Sequence, residues 1–269
     1  MNYIIPILLI IIIIIFGFGF LRSIFINNSI ESFEESDVLD MYVITLGKKE
    51  RIQNIKNQES KINNKINIFD GVNGLKLDIN ELIKNNILDK NHKLSENINH
   101  AKKEIGCYLS NYNIYKKIKK DNKRGYTIIF EDDFIVNSSN FKDDVKKAID
   151  KLNNKSIDFD FLYLGSNQIN YGENIIDNLY YVNPKQNFFG THAYVINNKN
   201  IDKIIDNIKI IKNPIDVIIQ DLSKNHIFNT VIMYPYTVIQ NKSFKSTVDN
   251  KSDVIWTVPP KNYKKNGLK

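Results

Sequence analysis

Residues 126–133 read Tyr-Thr-Ile-Ile-Phe-Glu-Asp-Asp, an apolar run of β-formers that stops abruptly in three consecutive carboxylates. A run this short and this apolar fits a strand buried on both faces of a parallel sheet, with helices covering each side. In open sheets of that kind ligands gather outside the carboxyl ends of the strands, where these acids would stand. Three adjacent carboxylates repel one another unless a cation lies between them. Hard oxygen donors suit Mg2+ or Mn2+, ions that usually complete their shell with substrate phosphates. Glu131, Asp132 and Asp133 therefore read as a metal–diphosphate site, and equally as a solvated acidic turn after an edge strand.

The flanking pattern narrows the fold class to α/β. Residues 41–46 and 66–69 are short strand candidates, and a lysine-rich amphipathic segment over about 48–60 lies between them with Ile52 and Ile55 turned inward. The turn Asp70-Gly71-Val72-Asn73-Gly74 closes the second strand. This spacing is the strand–helix–strand unit of a doubly wound sheet. Residues 75–103 read as irregular and polar, with one helix near 79–87. Further helices are expected over 106–120, 141–152, 198–209 and 215–223. Strands are expected over 159–164, 179–182, 192–196 and 231–238, the last interrupted by Pro235.

Ahead of this domain, residues 3–21 carry no charged side chain and include six consecutive isoleucines at 10–15. An apolar span of about 20 residues matches the hydrocarbon thickness of a bilayer. A cleavable signal peptide would show a basic start and small residues at a cleavage site, neither of which is present. The expected organisation is a single-pass membrane anchor over 1–22, a polar acidic stem over 23–40, one domain over 41–256 and a basic tail over 257–269. Arg22 is the only side-chain cation beside the apolar run, so the charge pattern leaves the side of the membrane open. Five Asn-x-Ser sequons leave it open too. Glycans on Asn137 or Asn241 would crowd the acidic cleft, which allows a cytosolic domain as readily as a luminal one.

The net charge of +7 admits an anionic ligand or surface, but lysine is spread along the whole chain. The densest cluster, Lys116 to Arg124, lies on one expected helix and its exit loop with few interleaved aromatics. It reads as a solvated helix face, and no nucleic acid is expected as a partner. The one cysteine, Cys107, excludes an intramolecular disulfide, so the fold rests on its core.

Several segments, taken in order, resemble glycosyltransferase family 25. They are Tyr42-Val-Ile-Thr-Leu46 with the basic turn Gly47-Lys-Lys-Glu-Arg51, then Gly71-Val-Asn-Gly74 and Lys103-Glu-Ile-Gly-Cys-Tyr-Leu-Ser-Asn111. Ile128-Ile-Phe-Glu-Asp-Asp133, Gly190-Thr-His-Ala-Tyr194 and Pro214-Ile-Asp216 follow. The resemblance spans about 41–246. It implies a GT-A-like fold, a Rossmann-type mixed sheet flanked by helices, and a hexosyltransferase that uses Mn2+ (or Mg2+) with UDP-galactose or UDP-glucose as donor, with inversion. The acceptor would be a hydroxyl of a glycan or a protein. A catalytically inactive, anchored carbohydrate-binding or assembly protein on the same fold is the alternative.

The resemblance also implies roles. Asp133 is the first candidate metal ligand and Glu131 the second, while Asp132 either coordinates or bonds the ribose. Thr45 and Arg51 stand where nucleotides dock. Glu104 either meets the donor sugar or caps the following helix, and Gly106 allows close backbone approach. Cys107 is expected as small buried packing. Asn111 replaces the family's histidine. Gly190 and Thr191 would wall the donor sugar or acceptor, and His192 reads as a strand histidine facing out. Asp216 is the candidate general base, with a helix cap as its other reading. Gln220, Asp221, Gln240 and Ser243 form a weaker supporting set, and His226 reads as a metal ligand or, as a lone histidine, as a structural residue.

Overall fold

The computed structural model describes residues 39–168 and 171–244. The expected anchor at 3–21, most of the stem and the tail from 257 lie outside these residues. Among the described residues no helix is long and apolar enough to cross a membrane.

The chain opens with β1 (Leu39–Thr45), which takes two residues from the expected stem, followed by α1 (Lys49–Ile62) and β2 (Asn67–Asp70). β2 pairs with β1 in parallel, as the strand–helix–strand spacing requires. A 3-10 turn at Gly74–Lys76 and the short α2 (Ile79–Lys84) lead into α3 (Ile98–Lys120). α3 starts eight residues before the expected position. Asn97 caps it, its side chain accepting from the Asn99 and His100 amides, inside a stretch too polar to show apolar periodicity.

Then come β3 (Tyr126–Glu131), β4 (Phe134–Val136), α4 (Phe141–Asn154) and β5 (Phe161–Gly165). They are followed by β6 (Asn174–Ile176), β7 (Leu179–Tyr181), β8 (Ala193–Asn197), α5 (Ile201–Asn207), α6 (Ile215–Lys224), β9 (Thr230–Met233) and β10 (Val238–Gln240).

Among the described residues the principal sheet has eight strands in the order β2-β1-β3-β8-β5-β9-β7-β6. β3 runs parallel to β1, but its other neighbour, β8, is antiparallel. The sheet is therefore mixed. The stretch expected as one strand over 231–238 is two, split across two sheets: β9 joins the main sheet, and β10 pairs antiparallel with β4. Three-residue β4 and β6 were not evident in the sequence, since each is too short to establish an alternating pattern.

Two apolar clusters cover the two faces of the sheet. Tyr42, Ile129, Phe161, Tyr163, Tyr194 and Ile232 pack against α3, α5 and α6. Met41, Val43, Ile128, Phe130, Leu162 and Val195 pack against α1 and α4. The period-two alternation along each strand produces this division, since successive side chains leave opposite faces. The carboxyl ends of β1 and β3, which run parallel, fall on one edge of the sheet.

Candidate functional site

α1 supports the acidic turn through a polar stripe. Its buried residues are Arg51, Asn54, Ile55, Gln58 and Ile62, at the spacing of one helix face. Three of the five are polar because the neighbouring chain is a turn with unpaired backbone groups. Asn54 Nδ2 donates to the carbonyls of Asp132 (3.0 Å) and Phe134 (2.9 Å), and Gln58 Oε1 accepts from the Val136 amide (3.0 Å). β4 is thereby fixed just beyond the three acids.

The acids then diverge. Asp132 accepts from the Thr45 hydroxyl at 2.6 Å, and Thr45 in turn accepts from the amide of Gly47, whose φ of +76° places it in the left-handed region. Arg51 Nη1 lies 3.0 Å from Asp132 Oδ1 and 2.9 Å from Asp133 Oδ2. Asp133 Oδ2 also accepts from the Gln240 amide at 3.1 Å, and its carbonyl accepts from the Asn241 amide. Phe244 lays its ring over the Arg51 guanidinium at 4.5 Å. Glu131 turns instead toward Thr191, whose hydroxyl donates to Oε1.

Electrostatics follow from this crowding. Burial, then the charge of Asp133, push the Glu131 carboxyl up to about 8, with Asp132 and Asp216 adding to the effect and Thr191 opposing it. Burial also raises Asp132, against the Thr45 hydrogen bond and the Arg51 charge. The Cys107 thiol is held well above its usual range by burial and by Glu131 and Asp216. Cys107 packs against the apolar cluster on this face of the sheet, as expected.

Asp216 sits in the first turn of α6. Its Oδ2 accepts from the Gly190 amide at 3.0 Å and its Oδ1 from the Val217 amide at 2.9 Å. Gly190 has φ +90°, a backbone conformation that calls for glycine. Gln220 anchors the same loop, accepting from the Phe188 amide at 2.7 Å. Thr45, Arg51, Glu131, Asp132, Asp133, Thr191 and Asp216 are thus linked by direct contacts or mutual charge effects, and Gly190 is tied to Asp216.

Glu104 belongs to a different contact set. It lies well inside α3, one turn before Cys107 on the same face, so it does not cap the helix start. Its Oε2 accepts from the Ser95 amide at 2.8 Å, and its Oε1 lies 3.4 Å from His100 Nε2, which ties the preceding loop to the helix. Gly106 does allow close approach: an added Cβ would lie 2.7 Å from both Gly74 N and Val72 O.

His192 corrects an expectation. It does not face out but is 2% exposed, beside Asp133 and the Val238 carbonyl. Burial lowers its pKa to about 4, against those two neighbours. The irregular turn just before β8 breaks the alternation by which an outward face would be inferred. Asn111 is also buried: it donates to the Cys107 carbonyl and accepts from the Tyr194 hydroxyl, which pairs with Tyr115. His226 lies in the exposed turn after α6, away from these contacts.

The fit to a divalent cation rests on one atom. Asp133 Oδ1 is buried without a hydrogen-bond partner. Among the described residues no three His, Cys, Asp or Glu side chains converge as a ready-made metal cluster. The residues thus fit Mg2+ or Mn2+ held by one or two carboxylates with substrate oxygens completing the shell. Asn54, Gln58 and Phe244 were not identified from sequence. For the first two, polar residues at helical spacing on a strand-facing stripe were the available signal.

The family model described as glycosyltransferase family 25 (LPS biosynthesis protein) matches residues 38–219. Among curated proteins, a bovine (Bos taurus) protein named "Probable inactive glycosyltransferase 25 family member 3" is 29% identical over 108 residues, covering 39% of this chain and 18% of its own length. Human (Homo sapiens) "Procollagen galactosyltransferase 2" is 27% identical over 104 residues, covering 38% of this chain and 16% of its own. The chain thus matches less than a fifth of the length of either relative.

Proposed function

This chain belongs to glycosyltransferase family 25, and we propose that it transfers a hexose, galactose or glucose, from a UDP-sugar to a hydroxyl of a glycan or protein acceptor, with inversion. The carrying observation is the convergence of Thr45, Arg51, Asp132 and Asp133 at one sheet edge, with Glu131 linking them to Thr191 and Asp216. A UDP-sugar needs cationic and hydrogen-bonding partners for its diphosphate, a base for the acceptor, and walls that exclude water.

In this reading Asp132 and Thr45 receive the nucleoside side and Arg51 the diphosphate. Asp133, with Glu131 second, would hold Mn2+ or Mg2+. That ion, when bound, stabilises charge on the departing diphosphate as a Lewis acid. Asp216 removes the proton from the acceptor hydroxyl while that oxygen forms a bond to the anomeric carbon. The anomeric carbon–diphosphate bond breaks on the opposite face, and UDP departs with the electron pair. The two backbone amides on Asp216 orient its carboxylate. The human relative's name supports galactose as donor sugar, and anchoring through residues 3–21 is part of the same proposal.

The test is UDP release from UDP-galactose and UDP-glucose by the full-length chain in detergent, with and without Mn2+. Release that depends on metal and falls about 100-fold or more in Asp133→Ala is the expected result. A second reading, a non-catalytic member of the family, draws on the Arg51 contacts that already occupy Asp132 and Asp133. UDP binding without release from either donor, with simple sugar acceptors present, would favour that reading.

A further inference from the structure

The carboxylates at the end of β3 already have a cation, and it belongs to the protein. Arg51 is 2% exposed and touches Asp132 and Asp133 through one nitrogen. A guanidinium stays charged in proteins. Its position is held from two further directions. Phe244 covers its face, and the segment leading to Phe244 is fastened to Asp133 by the Gln240 side chain and the Asn241 amide. Asp133 Oδ1 is left buried without a hydrogen-bond partner beside this arrangement.

We propose that Arg51 is the resident counter-ion of Asp132 and Asp133, and that a divalent cation gains Asp133 only when a diphosphate gives the guanidinium another partner. The proposal rests on the metal-dependent nucleotide-sugar reading above. A dication approaching Asp133 alone meets a fixed positive charge on the same carboxylate, in a buried setting where charges are weakly screened. Asp133 cannot fully serve both cations at once. A diphosphate changes this balance, because its oxygens match the planar donor fork of a guanidinium. Metal and nucleotide then bind as a coupled pair, each raising the affinity for the other by the same factor. Arg51 acts here as a positioning residue, and Phe244 sets how readily its guanidinium moves.

The coupling is measured by titrating Mn2+ into the full-length chain in detergent, following the free-ion EPR signal with and without UDP. In the wild-type protein UDP is expected to tighten Mn2+ binding by about tenfold or more. Arg51→Met and Phe244→Ala are each expected to tighten Mn2+ binding measured without UDP and to shrink the effect of UDP. Arg51→Lys, which restores a cation, should move the affinity back toward wild type. Phe244→Ala keeps every charge, so it decides the matter if Arg51→Met does not fold. Mn2+ binding in wild type that is indifferent to UDP overturns the counter-ion role, as does UDP-free Mn2+ affinity that is unchanged or weaker in the folded variants. A wild-type protein that binds UDP but never Mn2+ overturns the metal reading itself. One that binds neither overturns the nucleotide reading.

Discussion

Glu131 holds a proton over a pH range where an ordinary carboxyl would not, because burial and the adjacent Asp133 disfavour its charge. Its folded pKa of about 8 lies above the ordinary value of 4.5, so the folded state binds the proton more tightly than the unfolded chain. The associated stability is fully present below the unfolded value and is lost as pH rises through the folded one. Glu131→Gln mimics the neutral form. In metal-free protein it should match wild type in urea unfolding near pH 4 and exceed it by a few kcal/mol at pH 8 or above; equal stability at both would refute the shift. His192 behaves in the opposite sense. Its folded pKa of about 4 is depressed, so its contribution is present above the unfolded value and is lost as pH falls through 4. Its imidazole carbon-bound proton should show no NMR titration between pH 8 and 5, whereas an outward-facing histidine would titrate near 6.5.

At the scale of elements, α3 and α1 each carry a constraint that a helical wheel would misjudge. Gly106 lies mid-helix, where alanine would gain about 1 kcal/mol of helix propensity. Yet a Cβ at Gly106 would press on the backbone of Val72 and Gly74, which no side-chain rotation relieves. Overpacking of that kind costs about 1–3 kcal/mol, so Gly106→Ala should be net destabilising in chemical unfolding. A stabilised variant would show that the 71–74 turn yields easily. On α1, Asn54 bonds two carbonyls that flank Asp133. Asn54→Ala leaves both short of a donor and should cost about 1–3 kcal/mol. It should also weaken UDP binding by calorimetry more than Gln53→Ala, a change on the exposed face.

At the scale of the whole molecule, the site is assembled from the ends of β1 and β3, the starts of α1 and α6, and the turn before β8, all between residues 39 and 244. A fragment 38–269 should therefore bind UDP within about twofold of the full-length chain and unfold in one transition, since both apolar clusters share one sheet. A fragment that binds UDP much more weakly would place part of the site in the first 37 residues. The local grammar of this architecture was legible in the sequence. Apolar runs gave β1, β3 and β5, and helical periodicity gave α1, α4 and α6 within a few residues. The ordered motifs gave the family, because each of these signals is carried by residues close in the chain. What the sequence left undetermined depends on residues far apart in it. The antiparallel insertion of β8, the division of 231–238 between two sheets, the inward turn of His192 and the contact of Arg51 with two acids some eighty residues away all require the folded chain. Side-chain type says that Glu131, Asp132 and Asp133 need compensation. Only the packing of α1, β4 and the Gln240–Phe244 segment decides that a guanidinium of the protein itself supplies it, because burial and distance, not composition, set the strength of a charge pair.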